Sequence, residues 1–258
     1  MPVNGHSSHG STSDAKQLEA RLSDALTLCE RRSAPVFTDF LTEEEQALAA
    51  AYMTRAGADY RLYGGWEDAE RCMLGVFPAY EPPSAEAFPI DAVTARCRPS
   101  EKPEHRAVLG TLMSQGITRG CIGDILIEEG RCVFFCRPTV TRALVEGIDK
   151  IGGMGATLTV GCELPLPAAH GFRSITDTVA SARLDCLVAA LAGTGRTQAE
   201  QRIAEGLVLI NGLPCKKPSQ TVREGDKLTL RGEGKFIIDD ISGVTRKGRR
   251  ILSARKYI

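Results

Sequence analysis

Apolar residues in the last third of the chain follow a helical period twice and then switch to alternation. Leu184, Leu187, Val188 and Leu191 share one stripe of a helix and leave Arg183 and Asp185 off it, so this helix is expected to pack its stripe inward and turn its polar residues to water. A Gly-Thr-Gly break at 193–195 follows. Thr197 and Glu200 have capping-box spacing, which predicts a second helix that starts at Thr197, buries Ala199 and Ile203, carries Arg202 and stops at Gly206. Residues 207–210 then read as a strand, Asn211-Gly212 as a hairpin turn, and 213 onward as its return strand. A turn at Glu224-Gly225-Asp226 leads into a further alternating strand over 227–231.

Upstream, the spacing of Leu18, Leu22, Ala25, Leu26 and Cys29 predicts a helix from residue 15 to 32, and Thr42 followed by three Glu marks another helix start. Residues 1–14, rich in Ser, Gly and His, are expected to be flexible, and 15–82 to form a mainly helical region with one apolar strand over 72–77. A Pro-rich stretch over 78–89 is the expected boundary. The next block, 83–168, reads strand 92–97, helix 105–113, strands 124–129 and 131–136 joined at Glu129-Gly130, helix 139–148 and strand 156–162. This βαββαβ order predicts a two-layer α+β sandwich with the topology of RNA-recognition-motif domains, a topology that many other proteins share. Phe134 and Phe135 are its one adjacent aromatic pair and point to opposite faces of a strand, so at least one belongs to a core. The Gly152-Gly-Met-Gly155 run precedes a strand and reads as a tight turn, not a phosphate loop. The fold class expected is α+β, with a C-terminal domain over 174–258 that ends in a basic extension.

Charge changes the picture. Lys and Arg together number 32, as do Asp and Glu, yet residues 173–258 hold 16 basic against 9 acidic residues, leaving 16 against 23 upstream. A net +7 end is where a polyanion is expected to bind. No apolar run approaches membrane-spanning length, and the N-terminus lacks a secretory or transit pattern, so a cytoplasmic protein without membrane contact is expected. The nine cysteines are scattered, which fits reduced thiols; Cys132 and Cys136, four apart, read as buried side chains sharing one strand face rather than metal ligands. No metal or cofactor is expected.

The C-terminal string becomes specific when read whole. Arg183-Leu-Asp185, Gly195-Arg-Thr-Gln-Ala199, Ile203-Ala-Glu-Gly-Leu-Val-Leu-Ile-Asn-Gly212 and Val222-Arg-Glu-Gly-Asp-Lys-Leu228 resemble the S4 domain nearly throughout. The resemblance implies an RNA-binding module whose two-helix face and adjoining strand grip phosphates, with contacts from Arg183, Arg196, Arg202, Lys216 and Lys217. RNA helices are read mainly through backbone and 2′-hydroxyls, which suits long cations. Arg246, Lys247 and Arg249, in a dense basic segment, would extend the footprint. For Arg202, pairing with Glu205 or packing of its stem is an equal alternative. Gly195 stands where many relatives have Ser, which fits a helix cap moved to Thr197.

Four further stretches resemble, in order, the motifs of the YlmH family of bacterial S4 proteins: Thr38-Asp-Phe-Leu41, Tyr63 to Arg71 (YGGWEDAER), His105-Arg-Ala-Val-Leu-Gly110 with Met113, and Gly116 to Ile125 (GITRGCIGDI). The Gly-Lys-Phe236 and Thr245-Arg-Lys-Gly-Arg249 stretches continue the likeness. The resemblance implies a ribosome-associated quality-control factor, with other such factors as partners; a monomer is expected. It would bind large-subunit rRNA and peptidyl-tRNA and support C-terminal tailing of stalled chains, with no reaction of its own. Where relatives continue with basic residues after Arg71, this chain has Cys72-Met73. Arg71 and Arg119 are therefore either secondary RNA contacts or internal ion-pair partners of Glu70 or Asp124, and His105 is a helix-start or packing residue.

An S4-bearing enzyme acting on rRNA or tRNA is the alternative, with a general RNA chaperone third. A pseudouridine synthase needs a second Arg-Leu-Asp in a catalytic domain, a tRNA synthetase its nucleotide signatures, and a methyltransferase a glycine loop after a strand. The sequence contains none of these.

Overall fold

A computed structural model describes residues 10–169, 171–246 and 248–257, with side chains from Asp14 onward. The chain divides into two compact units, 1–169 and 170–258. The expected boundary in the Pro-rich stretch thus lies inside the first unit, where the N-terminal region and the βαββαβ domain share a core.

That first unit begins with α1 (Gly10–Arg32), which takes in part of the stretch expected to be flexible, followed by β1 (Val36–Phe37) and α2 (Glu43–Ala56). The Thr42 cap is formed: Thr42 Oγ1 accepts from the Glu45 amide at 3.3 Å, and Glu45 Oε2 accepts from the Thr42 amide at 2.8 Å. Gly57, at φ 65°, ends the helix in the left-handed region that glycine adopts without strain. Beyond it, β2 (Asp59–Tyr63) and β3 (Met73–Phe77) complete an antiparallel sheet of order β1-β3-β2. The region read as mainly helical is therefore α+β, because β3 recruits two short partners.

Next come β4 (Asp91–Arg96), α3 (His105–Ser114), β5 (Ile122–Glu128), β6 (Arg131–Cys136), α4 (Pro138–Gly147), a small hairpin of β7 (Lys150–Ile151) and β8 (Met154–Gly155), and β9 (Thr157–Val160). Strands pair in the order β5-β6-β4-β9. This is the predicted βαββαβ layer, and the Gly152-Gly153 turn closes the small hairpin at φ 55° and 88°.

Alternation along β3 and β6 stacks the two sheets. Leu74 and Val76 face α1 and α2 with Leu18, Leu22 and Met53, whereas Met73 and Phe77 face the other way. In β6, Phe134 joins the core beneath α3 and α4, while Val133 and Phe135 meet Phe40, Met73, Phe77 and Phe88. The layers are helices, sheet, sheet, helices. Val133 is 0% and Phe135 2% exposed, so the sheet face on which RNA-recognition motifs stack bases is filled here by the chain's own N-terminal region. RNA contact through that face is blocked. Burial also pushes the Cys132 thiol up to about 12 and that of Cys136 to about 11, and none of the nine cysteines is in a disulfide.

The second unit opens with β10 (Phe172–Val179), then α5 (Leu184–Leu191), α6 (Arg196–Ala204), β11 (Val208–Ile210), β12 (Leu213–Pro214), β13 (Lys227–Leu230), β14 (Gly234–Asp240) and β15 (Arg250–Tyr257). Its sheet runs β10-β15-β14-β13-β11-β12. The basic extension is thus a strand: β15 pairs with β10 over eight residues, from Phe172 opposite Tyr257 to Val179 opposite Arg250. Leu252 and Ala254 point into a core with Leu184, Leu187, Val188, Ile203, Leu228, Phe236 and Ile238. Among the described residues, no helix is long and apolar enough to cross a membrane.

Candidate nucleic-acid interface

The predicted cations sort into three places. Arg183 caps the start of α5, and its Nε and Nη2 donate to Asp185 at 3.1 and 2.8 Å. Arg196, the first residue of α6, reaches the same carboxylate, with Nη2 2.7 Å and Nε 3.0 Å from Asp185 Oδ2. Asp185 is completely buried, while the side chains of Arg183 and Arg196 are 39% and 57% exposed. The expectation that Asp185 faces water is therefore corrected. It lies off the apolar stripe, but the two guanidiniums close over it, and its own backbone amide is tied to Pro218 O at 3.1 Å.

The electrostatics are consistent. Hydrogen bonds from Arg183, and then from Arg196, hold the Asp185 carboxyl well below the usual carboxylate range against the opposing effect of burial. Its place in the first turn of α5, where Oδ1 accepts from the Cys186 amide at 2.9 Å, adds the favourable end of the helix dipole. One buried anion thus fixes two partly exposed guanidiniums, each with five N–H donors of which Asp185 uses a minority. Such a pair is preorganised for phosphate oxygens.

Thr197 does not cap α6. Gly195 takes the cap position without a side-chain bond, and Glu200 turns to Arg196 Nε at 3.3 Å. The arginine one residue earlier is already helical and draws Glu200 away from the backbone.

Lys216 and Lys217 are exposed and belong to the same place. The segment they enter docks on the start of α5: Leu184 N donates to Gln220 O at 2.8 Å, and Arg183 and Thr221 form a backbone bridge. Arg246 and Arg249 are exposed on the connection from β14 to β15, with Arg249 donating to Thr178 O at the end of β10. Lys247 lies outside the described residues. Arg202 is different: Nη2 donates to Arg231 O at 2.7 Å and Nη1 meets Glu233, not Glu205, at 3.4 Å. Its side chain is 23% exposed, and it serves to clamp α6 to the β13–β14 turn.

Residues 182–228 match the S4 domain, and residues 87–161 match the family described as "Putative RNA-binding domain in YlmH". The chain is 30% identical over 215 residues to the "Ribosome-associated protein quality control protein P2" of Bacillus subtilis (strain 168), an alignment spanning 82% of this chain and 83% of the relative. The chain belongs to the YlmH family. It is also similar in fold to the "Cell division protein ylmH from Streptococcus pneumoniae", at a TM-score of 0.51 and 22% identity over 62% of this chain and 96% of that one. The S4 match runs from the start of α5 into β13, and β10, β14 and β15 lie outside it.

Three of the other YlmH motifs, 38–41, 63–71 and 116–125, meet at one junction in the first unit. Asp124 accepts from Trp66 Nε1 at 3.0 Å, Glu70 N at 2.7 Å and Arg71 N at 3.0 Å, pinning the loop that links β2 to β3. Gly64 is required there, because a Cβ would come within 2.4 Å of both Ala69 Cβ and Arg71 O. Arg71 and Arg119 were expected either on RNA or in ion pairs. Their guanidiniums instead donate to backbone carbonyls: Arg71 to Phe40 O at 2.9 Å and Ile122 O at 3.2 Å, and Arg119 to Ile122 O and Gly123 O. Burial lowers both pKa values, that of Arg119 to about 10. Arg137, which no motif singled out, completes the junction by pairing with Asp39 at 2.5 Å.

Proposed function

We infer that this protein is a non-catalytic RNA-binding factor of the cytoplasm. It docks on the large ribosomal subunit, contacts rRNA and peptidyl-tRNA, and supports C-terminal tailing of stalled nascent chains alongside other quality-control factors. The observation that carries the reading is the pair of guanidiniums at Arg183 and Arg196, fixed by buried Asp185 and flanked by Lys216 and Lys217 on an S4 domain. Two oriented forks beside two exposed cations match a folded phosphate backbone, which RNA presents whatever its sequence. The name of the Bacillus relative supports the ribosome as the place where that RNA is found. Arg246 and Arg249, exposed on the connection from β14 to β15, would add to the footprint; Arg202, Arg71 and Arg119 are engaged internally and take no part.

Sedimentation through a sucrose gradient at moderate salt tests the reading. The wild-type chain is expected in the large-subunit fractions and the Arg183→Ala/Arg196→Ala chain at the top. A wild-type chain absent from the large-subunit fractions, or a double variant that sediments with them unchanged, contradicts it.

A further inference from the structure

Beside the start of α5 lies an open groove of about 490 Å³, lined by Ile210, Asn211, Lys217, Ser219, Gln220, Thr221, Arg223 and Asp226. Its volume falls within the roughly 300–1,000 Å³ range of small-molecule sites, but its polar lining does not suit an apolar ligand. The floor is built and rigid: Asn211 Nδ2 donates to Asp226 Oδ1 at 2.8 Å, Asn211 Oδ1 accepts from Lys227 N at 2.9 Å, and Asp226 Oδ2 accepts from Arg223 N at 2.7 Å. Asn211 sits at φ 50°, in the left-handed region, where these two side-chain bonds hold it.

Around that floor the chemistry is uncommitted. Among the described residues, the side chains of Lys217, Ser219, Thr221 and Arg223 make no hydrogen bond or ion pair within the protein, and Gln220 Nε2 makes one long bond, 3.4 Å to Thr221 O. Two cations, an amide and two hydroxyls therefore look into one space with a fixed carboxylate. A phosphate alone would meet the cations but be repelled by Asp226. A nucleotide meets all of them, because it brings an anion, a 2′-hydroxyl and a base edge with N–H donors for a carboxylate or amide.

Continuity decides which nucleotide. The same 218–221 segment that lines the groove receives the Leu184 and Asp185 amides and bridges Arg183, so a strand held by Arg183 and Arg196 passes the groove mouth. We propose that the groove takes a single unpaired nucleotide of the bound RNA, its phosphate at Lys217 and Arg223 and its sugar and base on Ser219, Gln220, Thr221 and Asp226. A paired base hides its Watson–Crick edge and cannot enter. The proposal rests on the RNA-binding reading above and gives that reading a selectivity, for bulged or looped RNA over continuous duplex.

The test measures affinity of the full chain for two RNA hairpins of equal length, one with a single-nucleotide bulge and one fully paired in the stem, across a salt series. Wild type is expected to prefer the bulged hairpin. Ser219→Ala/Gln220→Ala, and separately the near-isosteric Thr221→Val, are expected to lose about tenfold on the bulged hairpin, to keep their affinity for the paired one, and to show an unchanged salt slope. Circular dichroism confirms that the variants fold. Equal wild-type affinity for the two hairpins, variants that bind both as wild type does, or an equal loss on both overturns the groove assignment. Arg183→Ala/Arg196→Ala measured in parallel separates the two ideas: if that variant binds both hairpins like wild type, the RNA-binding reading itself fails.

Discussion

Replacing Asp185 by Ala is expected to destabilise the second unit and to weaken RNA binding together. Removing one partner of a buried ion pair costs about 3–5 kcal/mol; because both guanidiniums here reach water, we expect about 2–3 kcal/mol, read as a lower urea midpoint. The loss of affinity has a separate cause. Without the carboxylate, Arg183 and Arg196 repel each other, lose their orientation and regain rotamer freedom, so the forks must be ordered at the moment of binding. Asp185→Asn distinguishes the two effects by keeping the shape. It also carries a pH signature: the native carboxyl titrates well below its unfolded value of about 3.9, so the stability Asp185 contributes is complete above that value and is lost as pH falls below it. The gap between wild type and Asp185→Asn is therefore expected to be widest near neutrality and to close in acid. A gap that does not vary with pH contradicts the assignment of Asp185 as an ionised hub.

The second large effect is expected at Asp124. Asp124→Ala deletes the acceptor for Trp66 Nε1 and for two backbone amides and removes a carboxylate that favours the charged form of two half-buried guanidiniums, Arg71 and Arg119. The combined cost is about 3 kcal/mol, which corresponds to roughly 6–12 °C in the melting temperature of a unit this size. Trp66 is the one tryptophan in the chain, so its fluorescence reports the freed loop directly. A red-shifted emission in the folded variant, at unchanged affinity for RNA, is the expected result; a variant that melts and emits like wild type shows that the junction does not depend on Asp124.

These carboxylates also mark where the sequence was legible and where it was not. Period and turn chemistry located β4, β5, β6 and β9, helices α3 and α4, and both S4 helices to within a few residues, because each element carries its own apolar repeat and stop signals; the two-residue strands β7 and β8 are too short to carry one. The N-terminal sheet was missed because β1 is two residues long and β2 is only half buried. β10 was missed because it lies at a sheet edge and lacks alternation, and β15 because its outward Arg and Lys read as a solvated tail when Leu252 and Ala254 were the informative positions. Phe134 and Phe135 were correctly placed on opposite faces, but what covered the outer face depends on β3, some 60 residues upstream. For the proposed interface, Arg183, Arg196 and the Lys216-Lys217 loop followed from the S4 resemblance, not from spacing alone. The burial of Asp185 depends on the 218–221 segment folding back over α5, a contact that no local pattern encodes. Arg71 and Arg119 took carbonyl partners, which no side-chain pattern in the sequence marks, while Asp124 accepts from the Trp66 indole and two backbone amides.

The central claim is that Arg183 and Arg196 meet phosphates as a pair. Its most direct measurement is the salt dependence of affinity for a folded rRNA fragment, in which the slope of log K against log salt counts the phosphates neutralised. Arg183→Ala/Arg196→Ala is expected to bind at least tenfold more weakly and to flatten the slope by about two, while Arg142→Ala, an exposed cation of the first unit, leaves both unchanged. A double variant with the wild-type slope would contradict the account.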